Sequence, residues 1–393
     1  MKHVVVVGGG FAGIRLIRKL AKQKNVRTTL VNPNRQFRYT PALYRAANGF
    51  KMGTVRMSIE WMLLDVANTA IVYAHAVSVD PIKKLLLLDT KETINYDEVI
   101  FATGSVTTYF GIKGLDKYSY GIKSSAEVMA LREHIHSNVL SANKASKDYV
   151  IIGAGPTGVE LAAGLGSYIK HVARHHSAQV GHIRVYLIEA GTRVLPQMRD
   201  HAAKKALKRL QKLGVIVRTN TLVKSESAES LKTSLGSIRT DNVIWTAGTA
   251  NNPIYSRMHG IFSLNDRGRV EVNSYLQAHK NIYVCGDNAA TKYSGLALVA
   301  IWHANYIAKD IVRRLKNKHR KKYIEHRPVQ IVPVGESFAV AQYGRITITG
   351  WAASLLRRCA DFVGYSDVMG VAKAVSIWKG VETMDVVCTI CKK

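Results

Sequence analysis

Two glycine triplets are the residues of this chain whose type and spacing point most directly to chemistry. Gly8-x-Gly10-x-x-Gly13 follows the apolar run Val4 to Val7, and Gly153-x-Gly155-x-x-Gly158 follows Tyr149 to Ile152. Between a strand and a helix, the first glycine permits a tight turn and the second lets backbone approach a pyrophosphate. The third lets the helix pack closely on the strand. The first helical amides then hold the anion. Phe11 and Ala12 fill the variable positions of the first triplet, and Pro156 and Thr157 those of the second. One triplet alone is a weak signal. Two of them, 145 residues apart and each in strand-turn-helix context, predict a chain with two dinucleotide sites.

Polar residues follow at the matching places. The strand Thr28 to Val31 ends at Asn32, where an acid would accept the ribose hydroxyls, while Val185 to Ile188 ends at Glu189, which supplies that acid. A carboxylate there disfavours a 2′-phosphate, so NADH is expected over NADPH, although Arg193 stands close in sequence. Glu160, two residues past Gly158, is expected on the first turn of its helix with its charge favoured by the dipole. A carboxylate beside a ligand loop is a functional candidate. Three more apolar strands end in glycine turns, at VIFATG with Gly104, VIWTAG with Gly248, and IYVCGD ending at Asp287. Glycine at such a turn lets backbone come close to a ligand.

These groups need an α/β scaffold with two parallel-strand halves. Gly295 to Arg314 reads as a long helix. Arg313, Arg314, Lys316, Lys318, Arg320, Lys321 and Lys322 then read as a helix end and linker. From Ile348 the tail reads as an amphipathic helix with Trp351, Leu355, Cys359 and Phe362 on one face and Arg357, Arg358 and Asp361 elsewhere. A second piece over 368–381 carries Trp378. Composition is globular, with 47% hydrophobic and 21% charged residues, which disfavours disorder. Charge is the outlier. The 56 basic residues against 27 acidic ones give +29, a field that attracts an anionic lipid surface or nonspecific nucleic acid. No nucleic-acid module accompanies it.

Cys285, Cys359, Cys388 and Cys391 are too few and scattered for a disulfide framework, so a reducing compartment is expected. The apolar run after Met1 is only four residues long and is read as a buried strand, not an export signal. No run of 18 apolar residues occurs. Cys388-x-x-Cys391 lacks a second matching pair and is read as tail, and the His171/His175 pair as a basic face. No metal is expected.

Seven stretches in fixed order resemble the two-dinucleotide-binding flavoproteins, and more narrowly the type II NADH:quinone oxidoreductases. They are GGGFAG at Gly8, TPALYRAANG at Thr40, ATGSVTTYFGIKG at Ala102, IGAGPTGVELA at Ile152, IEAGTRVLP at Ile188, VIWTAGTANNP at Val243 and YVCGDNA at Tyr283. The resemblance covers about residues 3 to 315. It implies FAD held by the first triplet with Thr103, Gly104 and Asp287, and NADH held by the second triplet with Glu189. It also places Glu160 near nicotinamide and flavin. The implied reaction is hydride transfer from NADH to the flavin, then two electrons to a membrane quinone, without proton pumping. Asn32 in place of an acid is tolerated in that family. The helix after Asp287 departs from the pattern. The family's quinone-flanking glutamines fall on Leu298 and Trp302, beside Ala297, so the acceptor's polar head must be held differently. Disulfide-reducing and sulfide-oxidising chemistry would need cysteines beside the flavin, and Thr40 to Gly49 has none.

The reading is thus an FAD unit over 1–118 and 252–320, an inserted NADH unit over 119–251, and a membrane-facing segment over 321–393. The protein is expected peripherally on the cytoplasmic face of the cell membrane, with packing on the body or on a second copy as the other account of the tail helices. Two other functions remain open: a soluble NADH oxidase or diaphorase, and a non-respiratory flavoprotein that binds nucleic acid nonspecifically.

Overall fold

A computed structural model of the chain describes residues 1–141, 146–179, 181–258 and 260–385. The apolar runs read from the sequence are buried strands. β1 (Lys2–Val7) leads through Gly8 to Gly10 into α1 (Phe11–Leu20), which buries Ile14, Leu16, Ile17 and Leu20. Next come β2 (Val26–Val31), α2 (Leu43–Ala47), β3 (Thr69–Val72) and β4 (Glu98–Phe101). The chain continues through α3 (Ser125–Leu140), β5 (Ser146–Ile152) and α4 (Pro156–His175). β6 (His182–Ile188), α5 (Asp200–Lys212), β7 (Val215–Arg218) and β8 (Asn242–Trp245) follow. The last part contains β9 (Gln277–His279), β10 (Ile282–Val284), α6 (Ala297–Leu315), β11 (Gln330–Pro333), β12 (Ala339–Tyr343) and β13 (Ile346–Gly350). It ends in α7 (Trp351–Met369) and α8 (Val371–Lys379).

One sheet has the order β9-β10-β4-β1-β2-β3 and the other β7-β6-β5-β8. Pairing is parallel in both except at β9/β10. In each sheet the strand bearing the glycine turn lies between the strand that follows it and a later returning strand. That is the switch point where a doubly wound sheet opens a ligand crevice. A short antiparallel ribbon, Val106–Thr107 with Thr249–Ala250, joins the two halves.

The C-terminal part differs from the expectation. β11, β12 and β13 form a three-stranded antiparallel sheet inside the segment read as membrane-facing, and residues 346–350, read as the start of the tail helix, are its last strand, so the helix starts at Trp351. Gly350 at φ +87 makes the turn. α7 packs on the body of the protein. It buries Ala353, Asp361, Tyr365, Val368 and Met369. Tyr365 stacks on Tyr39 at 4.0 Å, and Arg15 pairs with Asp367 at 3.0 Å. Arg314 and Arg320, read as linker cations, are held by Glu98 at 2.7 Å and Asp310 at 2.6 Å. Among the described residues no helix is long and apolar enough to cross a membrane. Cys388 and Cys391 lie outside the described residues.

Candidate active site

The two glycine turns have the same internal geometry. A Cβ on Gly13 would lie 1.8 Å from the Gly8 carbonyl oxygen, and one on Gly158 would lie 1.9 Å from that of Gly153. Protein atoms therefore require glycine at these third positions. Gly8 and Gly153, at φ +107 and +101, turn against the loops after β4 and β8, where a Cβ would meet the Ala102 carbonyl and Ala247. Gly10 and Gly155 differ: an added Cβ meets no protein atom within 4 Å at either. These two positions cap α1 and α4, whose first turns carry no acidic residue. Space beside free helix N-terminal amides is a cradle for an anion, and a dinucleotide pyrophosphate fits both. Phe11 and Ala12 turn their side chains into the core, leaving only backbone for a ligand, whereas Pro156 and Thr157 are exposed at the mouth.

Asn32 and Glu189 are equivalent residues. Gly9 N–H donates to Asn32 Oδ1 at 2.8 Å, and Ala154 N–H donates to Glu189 Oε2 at 2.7 Å. Each side chain at the end of the second strand thus pins the amide after the first glycine of its triplet. The amide of Asn32 does this without an acid. Glu189 also accepts from Gly191 N–H at 2.8 Å. Arg193 donates to the Pro196 carbonyl within its own turn.

At the first switch point the loops after β4 and β10 meet. Thr103 Oγ1 donates to Tyr255 Oη at 3.0 Å and lies 3.2 Å from Asn288 Oδ1, and Asn288 Nδ2 donates to the Gly104 carbonyl at 2.9 Å. Ser105 donates to Asp287 Oδ2 at 2.7 Å and accepts from Lys123 Nζ at 3.0 Å. Burial pushes the Lys123 ammonium down, opposed by Asp287. His303, on α6, accepts from Gly286 N–H at 3.1 Å and so braces the turn holding Asp287. Burial pushes this imidazole down to about 4, so it is neutral. Sequence reading missed both. Neither lies in a motif: His303 falls inside the apolar pattern of the long helix, and Lys123 lies between the two fingerprints. Gly248, at φ +81, packs against Phe110. Ala297 opens α6, with Leu298 and Trp302 half-buried one turn apart and Trp302 edge-on to His326 at 5.9 Å.

Glu160 departs from expectation. It lies on the second turn of α4, 8% exposed, where burial raises its carboxyl to about 8. The side chain is therefore neutral at pH 7, not a charge held by the helix dipole. It faces Arg357 and Asp361 of α7 and Arg45 of α2. Arg45 Nη1 binds Asp361 at 2.8 Å, Arg357 Nη2 lies 3.4 Å from the same carboxylate, and Tyr39 donates to it. Arg357 is half-buried and also donates to the Pro41 carbonyl at 2.6 Å.

Residues 2–304 match the pyridine nucleotide-disulphide oxidoreductase family. The chain is 28% identical over 397 residues to a type II NADH:quinone oxidoreductase of Mycobacterium tuberculosis, covering 92% of this chain and 85% of that protein. It is 27% identical over 379 residues to the enzyme of that name from Haemophilus influenzae, with 82% and 83% covered. Among solved structures, NDH2 of Plasmodium falciparum in complex with NADH superposes with a TM-score of 0.82 at 17% identity over 97% of each chain. The resemblance to type II NADH:quinone oxidoreductases expected from the seven stretches is thereby borne out.

Proposed function

Because the chain belongs to the pyridine nucleotide-disulphide oxidoreductase family, we propose that it passes electrons from NADH by way of FAD to a membrane quinone, without pumping protons. The observation that carries this reading is the pair of matched cradles, at Gly10 and Gly155, on two switch points of one chain. Residues 1–118 and 252–320 would form the FAD unit and 119–251 the NADH unit, with the ribbon at Val106–Thr107 and Thr249–Ala250 as their link. The family name supports the pyridine nucleotide, and the relatives' shared name supports quinone as acceptor.

FAD, when bound, supplies the two-electron chemistry that joins the two substrates. The chain's own residues do the rest. Amides of the first triplet, steadied by Asn32, bind the FAD pyrophosphate, while Thr103, Gly104 and the Ser105–Asp287 pair line the other wall. The second triplet and Glu189 bind NADH, the carboxylate selecting a free 2′-hydroxyl. Leu298 and Trp302 offer an apolar wall for a ring on the acceptor side. Glu160, neutral up to about pH 8, holds a proton that a reduced acceptor needs.

Membrane contact is assigned to the outward face of α7 and α8. Trp351 is 75% exposed and Val371 63%, with Leu355, Leu356, Val363 and Val375 beside them and Arg358 and Lys379 exposed nearby. Apolar side chains in the acyl boundary with cations against lipid phosphate make an interfacial anchor. The test leaves the inward face of α7 intact. A Trp351→Ser, Leu355→Ser, Val363→Ser variant should lose flotation with anionic liposomes and turnover with long-chain quinone, yet keep full bleaching of its flavin by NADH. Wild-type protein that never binds liposomes, or a variant that instead splits a dimer, overturns the membrane assignment.

A further inference from the structure

Two guanidiniums in the interior share one carboxylate. Arg45 from α2 and Arg357 from α7 both reach Asp361, which is fully enclosed and also accepts from Tyr39. Arg45 Nε and Nη2 and Arg357 Nε find no acceptor among the described residues. Unanswered buried donors on cations are costly, so the site carries positive charge beyond what Asp361 neutralises. Glu160 lies across from it on α4: Asn48, which caps the α2 helix of Arg45, donates to the carbonyls of Glu160 and Leu161 at 3.5 and 3.3 Å, and Tyr44 of α2 also faces that carboxyl.

We propose that Asp361 is a positioning residue for Glu160: by binding Arg45 and Arg357 it fixes how much positive charge faces the Glu160 carboxyl, so that α7 controls the proton held there. This rests on the assignment of Glu160 as the proton-holding group made above. The signs follow from the charges, since a nearby cation favours an ionised carboxyl and a nearby anion opposes it. Arg357 and Arg45 favour the ionised form of Glu160, Asp361 opposes it, and desolvation outweighs both. The helix whose outer face meets the membrane thus sets the charge of the site with its inner face.

The experiment is an infrared pH titration of the flavin-loaded, full-length protein. It follows the carboxylic acid band that disappears in Glu160→Gln, alongside the pH profile of quinone reduction by prereduced protein. Asp361→Asn should shift the Glu160 titration and the alkaline limb of the profile to lower pH by about one unit or more. Arg357→Gln should shift both to higher pH. A purely structural role, in which either change loosens α7, would move the two variants the same way. Asp361→Asn with Arg45→Gln removes one anion and one cation and should return the titration close to wild type, which also tests the claim if the single variant undocks α7. If no band is lost in Glu160→Gln, the assignment of Glu160 fails. If the band titrates but Asp361→Asn and Arg357→Gln do not shift it in opposite directions, the role of Asp361 fails.

Discussion

Gly10→Val separates the cradle from the fold. The backbone at Gly10, φ −87 and ψ −163, is open to any residue, and an added Cβ meets no protein atom within 4 Å. The protein itself should therefore lose only about 1 kcal/mol, the difference between glycine and a β-branched residue at a helix N-cap. The ligand should lose far more. The valine methyls stand where an anion must reach the first amides of α1, and each charged hydrogen bond forfeited is worth about 1.5–3 kcal/mol. Losing two weakens FAD by roughly 10²- to 10⁴-fold. Gly13→Ala is the contrast, because its Cβ would lie 1.8 Å from the Gly8 carbonyl and the turn itself must break. Bound flavin per chain after gel filtration, with the melting temperature of each apoprotein, reads both effects. Gly10→Val should be folded and colourless, and Gly13→Ala should be unstable. A Gly10→Val protein that keeps full flavin would refute the placement of the pyrophosphate.

Two further outcomes are expected. Glu189→Ala should raise the KM for NADH by about one to two orders of magnitude and that for NADPH by less, since it removes the acceptor for the free 2′-hydroxyl; equal losses in steady-state assays would dismiss that role. The Glu160 carboxyl, raised by burial to about 8 from an ordinary 4.5, disfavours ionisation in the folded state, so its contribution to stability is undiminished below pH 4.5 and is lost progressively as pH rises towards 8. Glu160→Gln should flatten that part of the stability curve, by roughly 4 kcal/mol at pH 8, in denaturant titrations across this range; parallel curves would contradict the buried neutral acid.

The two crevices were legible because their determinants are local. A run such as Val4 to Val7 must be buried, a glycine triplet must turn, and the residue ending the next strand must face the turn. That last rule places Asn32 and Glu189 alike, although only one is an acid. The Glu160 cluster was not legible, because Arg45, Glu160 and Asp361 come from three helices far apart in sequence. Arg357 and Arg358 show the limit sharply. Neighbours of one type, they differ by one helical step, which half-buries one against Asp361 and leaves the other exposed beside Trp378. The sheet of β11 to β13 is not legible because its strands are only four or five residues long and carry no glycine-triplet or similar motif. Cutting the chain at Gly350 would expose the core under Tyr365 and Val368 as well as remove the outer face, so only surface substitutions separate the two faces of α7.

The visible absorption spectrum of the purified protein, taken anaerobically before NADH, after NADH and after quinone, tests the central claim most directly. The two cradles and the family assignment predict a yellow protein that bleaches with NADH and regains its colour when quinone is added. A colourless protein without flavin, or a yellow one that NADH leaves unbleached or whose colour oxygen restores but quinone does not, would contradict it.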